Sequence, residues 1–159
     1  MGTEMFKLDG KVAMIPGGSG GIGSALALGV CEAGAQVAVV DRDGDGLERS
    51  CSRIRAVGSE PLAVAADLTT KEGADRAVAE TVDHFGHVDV IINAVGGGAG
   101  KVLFDAQDYP QPEWDWIMEL NLRATLLPTQ AAVKAMIEAG NGGRVINISS
   151  VRAELGINA

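Results

Sequence analysis

The glycines of PGGSGGIG, Pro16 to Gly23, could do chemistry without a single side chain. They lie between a short apolar run, KVAMI (11–15), and a helical pattern, SALALGVCEAG. Glycines there let backbone come close to a charged group, and the unsatisfied N–H groups of a starting helix attract an anion such as a pyrophosphate. Gly18, Gly20 and Gly23 satisfy the generic GxGxxG spacing, which a purely structural glycine turn satisfies equally. The candidate phosphate contacts are Gly17, Ser19, Gly20, Gly21, Ile22 and Gly23.

Asp41 ends VAVVD, eighteen residues beyond Gly23, close to the spacing at which a carboxylate hydrogen-bonds an adenosine ribose. A carboxylate at that point repels a 2′-phosphate, which favours NAD over NADP, while Arg42 beside it pulls the other way. The plain alternative is a strand-end Asp that caps the turn into the next helix. RVINISS places Ser149 and Ser150 at a strand tip, where they could simply terminate the strand. Asn121, in MELNLRATL, is either a site residue or a helix-break residue. Tyr109, the only tyrosine, reads as a mobile loop aromatic with Glu113 four residues on. His84 and His87 read as surface or capping residues, and Trp114 and Trp116 as helix-packing aromatics. Lys101 lies in a glycine-rich loop near the candidate site without a tyrosine partner.

Positioning these residues requires a sheet. Val- and Ile-rich runs at 11–15, 36–41, 61–65, 88–93 and 144–149 alternate with helical patterns at 21–33, 44–57, 70–86 and 113–139. That alternation is the signature of βαβ units and a parallel sheet covered on both faces. The last helix is expected to break near Asn121 or Pro128, because proline removes a helical hydrogen bond. Gly34, Gly58, Gly86 and Gly140 sit where a glycine ends a helix, and Thr69 or Thr70 is placed to cap the third helix.

At 159 residues the chain fits one domain, 1–159, and 47% hydrophobic with 21% charged residues is ordinary globular composition. The net charge of −8 argues against non-specific nucleic-acid or anionic-membrane binding, so a phosphate must be held locally. Cys31 and Cys51 form no CxxC pair and no His lies at metal-ligand spacing, so no metal is expected and both thiols read as free. The start, MGTEMFKLDGK, has no apolar leader core, and no later run reaches membrane-spanning length. These features together predict a cytoplasmic location.

The motifs taken in order resemble the short-chain dehydrogenase/reductase family over essentially the whole chain. Gly17, Gly21 and Gly23 match its TGxxxGxG turn, with Pro16 replacing the Thr and removing a hydroxyl and an N–H that could brace it. ADLT places Asp67 and Leu68 where the family contacts adenine. VDVIINAVGG is similar to VDxLVNNAG, retaining Asn93 and Gly96 and placing Ala94 and Val95 where the family has Asn and Ala. MELNLRATL resembles the helix carrying the family's catalytic Asn, here Asn121, and INISS the strand carrying its catalytic Ser, here Ser150.

The resemblance implies a three-layer Rossmann-like doubly wound sheet of about five strands, order 3-2-1-4-5, with the family's carboxyl-terminal strands and helices missing. It implies an oxidoreductase that transfers hydride between NAD and a small alcohol or carbonyl substrate, Asp41, Arg42, Asp67, Leu68, Asn93, Ala94 and Gly96 joining the glycine turn as cofactor contacts. The family's Tyr-x-x-x-Lys, its acid/base pair, is not in these residues. A positioned acid/base is worth about 10²–10⁴ in rate, so the 159-residue chain is expected to be inactive alone, leaving a non-catalytic dinucleotide-binding module or a truncated remnant as the alternative. RVINIS would then be an apolar edge strand, and self-association through that edge is expected.

Overall fold

The computed structural model describes residues 6–98 and 104–150; the readings of Lys101 and of the amino-terminal MGTEM lie outside them. Five strands, β1 (Val12–Pro16), β2 (Gln36–Asp41), β3 (Leu62–Ala65), β4 (Val90–Asn93) and β5 (Arg144–Asn147), pair in parallel in the order β3-β2-β1-β4-β5. This is the predicted order. It places β1 and β4 side by side although two strands separate them in sequence, so the chain winds one way from β1 and the other way from β4.

Alternate residues of each strand face opposite layers. Met14, Ala38, Val40, Val64 and Ile91 pack under α3 (Lys71–Phe85) and α5 (Ala124–Ala139). Ala13, Ile15, Val37, Val39 and Ile92 pack under α1 (Gly21–Glu32) and α2 (Gly44–Arg55). All five residues of β1 are buried, which is why the run lacks polar alternation. Each fully buried Ile or Val contributes about 1.5–3 kcal/mol, so the strands closest to the sheet centre anchor both layers.

Local signals end the helices where the residue types demand. Gly34, Gly58, Gly86 and Gly140 all take positive φ just beyond α1, α2, α3 and α5, a conformation that side chains disfavour. Thr70 caps α3, its Oγ1 accepting the Gly73 N–H at 3.0 Å.

The fourth helical pattern begins at Gln111 as α4 (Gln111–Met118) and does not break. A π-helical turn, Glu119–Arg123, joins it to α5. Asn121 lies within that turn, and Pro128 is buried inside α5 without ending it. Strand bounds also shift slightly: β1 reaches Pro16, whose carbonyl accepts the Ala94 N–H at 2.9 Å, so the missing proline N–H does not exclude it from the strand.

Among the described residues β5 pairs only with β4, and Val145, Ile146 and Ile148 are 40%, 45% and 40% exposed. No helix among the described residues is long and apolar enough to cross a membrane.

Thr70→Ala removes the one side-chain cap seen on α3. It is expected to cost about 1 kcal/mol, lowering the midpoint of thermal unfolding followed by circular dichroism by about 2–4 °C for a chain of this size.

Candidate functional site

The loops leaving β1, β2, β3 and β4 meet over the sheet at the point where winding reverses, and a cleft of about 270 Å³ opens between them. Gly17, Ser19 and Gly20 line it after β1, and Asp41 and Arg42 line it at the end of β2. Ala66, Asp67, Leu68 and Thr69 line it after β3, with Ala94, Val95 and Gly96 after β4. Leu120 and Ala124, on the π turn and the start of α5, complete the wall.

The turn into α1 is built around three glycines that tolerate no Cβ. Gly17 takes φ +77°, and a Cβ there would stand 2.6 Å from the Ala94 carbonyl carbon and the Val95 nitrogen. At Gly18 it would strike the Val39 side chain, and at Gly23 the Gly17 carbonyl oxygen. Gly17 and Gly18 both donate to the Val40 carbonyl, at 2.9 and 3.2 Å, which fastens the turn to β2.

Gly20 and Gly21 differ. A Cβ on Gly20 would make only a 3.4 Å contact with the Gly17 carbonyl, and one on Gly21 would meet nothing within 4 Å. Packing does not require glycine at either position, yet their bareness leaves the backbone open at the start of α1. That start carries no side-chain cap and no acidic residue in its first turn, whereas α3 has Thr70 and Glu72 and α2 has Asp45. The free N–H groups and positive dipole end of a twelve-residue helix therefore remain unanswered.

Asp41 is held by three backbone donors: Ser19 N–H to Oδ2 at 3.2 Å, and Arg42 N–H and Asp43 N–H to Oδ1 at 2.8 and 3.2 Å. The carboxylate caps its own turn and also faces the cleft, so both readings of it describe one geometry. Asp67 accepts the Thr69 hydroxyl at 2.7 Å and its N–H at 2.9 Å. Those two bonds hold its carboxyl below the ordinary value against the opposing effect of burial, with a lesser contribution from the Arg42 charge.

Asn121 acts on the opposite wall. Its Nδ2 donates to the Gly97 carbonyl at 3.1 Å and the Ile117 carbonyl at 2.9 Å, and its Oδ1 accepts the Gly97 N–H at 3.1 Å. The amide thus clamps the loop after β4 to the π turn. A Cβ on Gly96 would stand 2.9 Å from that Oδ1, so the close approach of loop and helix needs a glycine there.

Other predicted residues lie outside the cleft. Ile22 is on the first turn of α1, 62% exposed, with Gly23 buried beneath it. Asn93, 2% exposed, points between β5 and α5, donating to Thr129 Oγ1 and Asn147 Oδ1 at 2.8 Å each. Ser150 lies beyond β5 and is exposed, and it is not among the residues that line the cleft.

The remaining candidates are accounted for by packing. Tyr109 lies in the loop before α4, edge-on between Phe104 and Trp114 at 5.5 and 6.1 Å. His87 is bonded to Asp89 at 2.9 Å, and His84 packs edge-on against Phe85. Cys31 and Cys51 are free and buried; burial pushes the Cys51 thiol up, against Arg55, and leaves it a poor nucleophile. No group of three potential metal ligands exists among the described residues.

Sequence reasoning did not single out Ala66, Val95, Leu120 or Ala124 as site residues. They are apolar wall residues with no local signal, brought to the cleft by strand order and by the π turn.

A family profile described as short chain dehydrogenase matches residues 11–159. An uncharacterized oxidoreductase of Mycobacterium tuberculosis is 37% identical over 152 residues, covering 96% of this chain and 57% of that protein. The crystal structure of a short-chain type dehydrogenase/reductase from Mycobacterium marinum superposes with a TM-score of 0.92 at 32% identity, covering 100% of this chain and 64% of that one. The structure of an NAD⁺-bound xylitol dehydrogenase gives 0.87 at 30% identity, covering 95% and 57%. The chain spans little more than half the length of the curated relatives it matches.

Gly23→Ala is expected to cost about 1–3 kcal/mol by overpacking, visible as a drop of several degrees in thermal unfolding. Gly21→Ala, with open space and a helical position, is expected to leave the midpoint unchanged or raise it by the equivalent of at most about 1 kcal/mol.

Proposed function

The chain belongs to the short-chain dehydrogenase family, and on that premise we propose that it supplies the dinucleotide-binding part of an oxidoreductase using NAD to oxidise an alcohol or reduce a carbonyl compound. The observation that carries this reading is the bare, uncapped start of α1 at Gly20 and Gly21, opening beside a cleft at the winding reversal. A dinucleotide fits those residues: the pyrophosphate has free N–H donors, and the ribose has a carboxylate already oriented by three amides.

NAD, when bound, supplies the hydride acceptor. The chain's own residues bind and orient it: Gly17, Ser19, Gly20 and Gly21 with the first turn of α1 hold phosphate, and Asp41 holds ribose. Asp67 and Leu68 border the adenine side, and Ala94 and Gly96 form the wall toward the reacting end. Asp41 disfavours a 2′-phosphate by charge, with Arg42 a partial counterweight. Ser150 would steady the substrate oxygen, and Asn121 shapes the wall through its clamp on Gly97.

The non-catalytic reading keeps one specific support. The only tyrosine of these 159 residues, Tyr109, is packed between Phe104 and Trp114 and is not followed by a lysine at the family's spacing. We therefore expect binding without turnover from these residues alone. Free buried thiols suit a reducing cytoplasm, and the exposed β5 edge suits association between copies.

Titration calorimetry with NAD and NADP tests the reading. NAD is expected to bind at least about tenfold more tightly than NADP, because the carboxylate meets a phosphate of like charge. Gly21→Ala is expected to weaken NAD about tenfold while leaving the unfolding midpoint in place, the cost of crowding one phosphate contact. Absence of NAD binding sinks the proposal, and steady NADH production from an alcohol sinks the expectation of no turnover.

A further inference from the structure

The geometry points to Asp89 as a positioning residue for the cleft, a carboxylate at the far end of the sheet that fixes β4 against β1 and so sets where β4 delivers Ala94 to Gly96. The inference rests on the proposed nucleotide site, but two of its three readouts are independent of any nucleotide.

β1 and β4 flank the winding reversal, and the seam between them is thin. β1 is in register with β2 over five pairs, Val12↔Gln36 to Pro16↔Val40, but with β4 over two, Ala13↔Val90 and Met14↔Ile91. Pro16 has no N–H to give β4. At the cleft end the seam is closed by one bond, Ala94 N–H to the Pro16 carbonyl at 2.9 Å.

At the other end Asp89 closes it with both backbone and side chain. Its N–H donates to the Val12 carbonyl at 3.0 Å, and its Oδ2 accepts the Val12 N–H at 2.9 Å. Oδ1 accepts Lys11 Nζ at 3.0 Å, and His87 Nε2 lies 2.9 Å from Oδ2. The Asp89 carbonyl accepts the Arg144 N–H at 2.8 Å, so one residue ties β1, β4 and β5 together. Among the described residues, Lys11 and His87 are the charged or titratable side chains that meet the carboxylate; the Arg144 guanidinium bonds the Gly143 carbonyl instead.

Asp89 is 7% exposed. A carboxylate so covered keeps its charge only while its donors stay in place. Burial pushes its pKa up, but the Val12 N–H, the Lys11 hydrogen bond and the charges of His87 and Lys11 outweigh that and hold it below the ordinary value. The stabilisation is therefore fully present above the unfolded carboxylate value of about 4 and is lost as pH falls through the lower folded value. Because a strand moves as a unit, loosening at Asp89 is felt at Ala94, about five residues and 16 Å along β4.

The test compares wild type, Asp89→Asn and Asp89→Glu by amide hydrogen exchange at neutral pH, by unfolding midpoint against pH, and by NAD titration. The Ala94 N–H reports the β1–β4 seam, and the Ala66 N–H, bonded to the Asp41 carbonyl, reports the β2–β3 seam. Asp89→Asn is expected to speed exchange at Ala94 at least about tenfold relative to Ala66, and to weaken NAD about tenfold, the scale of losing one charged hydrogen bond. It should also flatten the acid loss of stability, which Asp89→Glu should restore. If Asp89→Asn fails to fold, Lys11→Met gives the same comparison in milder form. Equal acceleration at both amides, unchanged Ala94 protection, or an undiminished acid loss overturns the inference. Wild type that fails to bind NAD, while the exchange contrast and acid loss behave as expected, overturns the function and leaves the positioning role standing.

Discussion

The site depends on one reversal of the chain, between Pro16 and Gly21, in which Gly17 and Gly18 have no room for a side chain. The Val40 carbonyl takes two amides from that turn, and Gly23 sits against the Gly17 carbonyl. Because the turn is fastened to β2, Asp41 can reach back to the Ser19 N–H. The anion-binding helix start and the candidate ribose carboxylate are therefore one mechanical unit, and neither can shift without the other.

Strand positions and helix ends are legible in the sequence because their causes are local, whereas the strand order comes from the family resemblance. Val/Ile runs buried on both faces have no polar alternation, and left-handed residues after helices call for glycine at 34, 58, 86 and 140. The fourth helical pattern was harder. Asn121 marked the irregularity, but the outcome is a π turn, because Asn121 is satisfied by Gly97 from another part of the chain. Pro128 continues the helix. Its ring is buried on the core face of α5, and nearby the Thr125 and Thr129 hydroxyls bond the Asn121 and Thr125 carbonyls at 3.0 and 2.7 Å.

The candidate site divides along the same line. Gly17, Gly20 and Asp41 could be named from the glycine turn and its spacing, and Asp67 and Gly96 from the family resemblance, since each lies at or just beyond the end of a strand. Leu120 and Ala124 could not, since their place in the wall depends on how a distant helical segment is rotated. Asn93 shows the converse. The family resemblance implied a cofactor contact, but strand alternation turns its side chain to the α5 layer, where Thr129 and Asn147 take its amide and its Oδ1 has no hydrogen-bond partner among the described residues.

The π turn carries a consequence for which changes the chain can accept. Ala124, Pro128, Ala132 and Met136 are the buried face of α5, and their phase is set by the extra residue that Glu119–Arg123 accommodates upstream. Deleting one residue there would rotate all four by about 100° away from the sheet. Substitutions away from Asn121 leave that phase in place, whereas insertions and deletions do not: the turn's length works as a reading frame for the helix that follows.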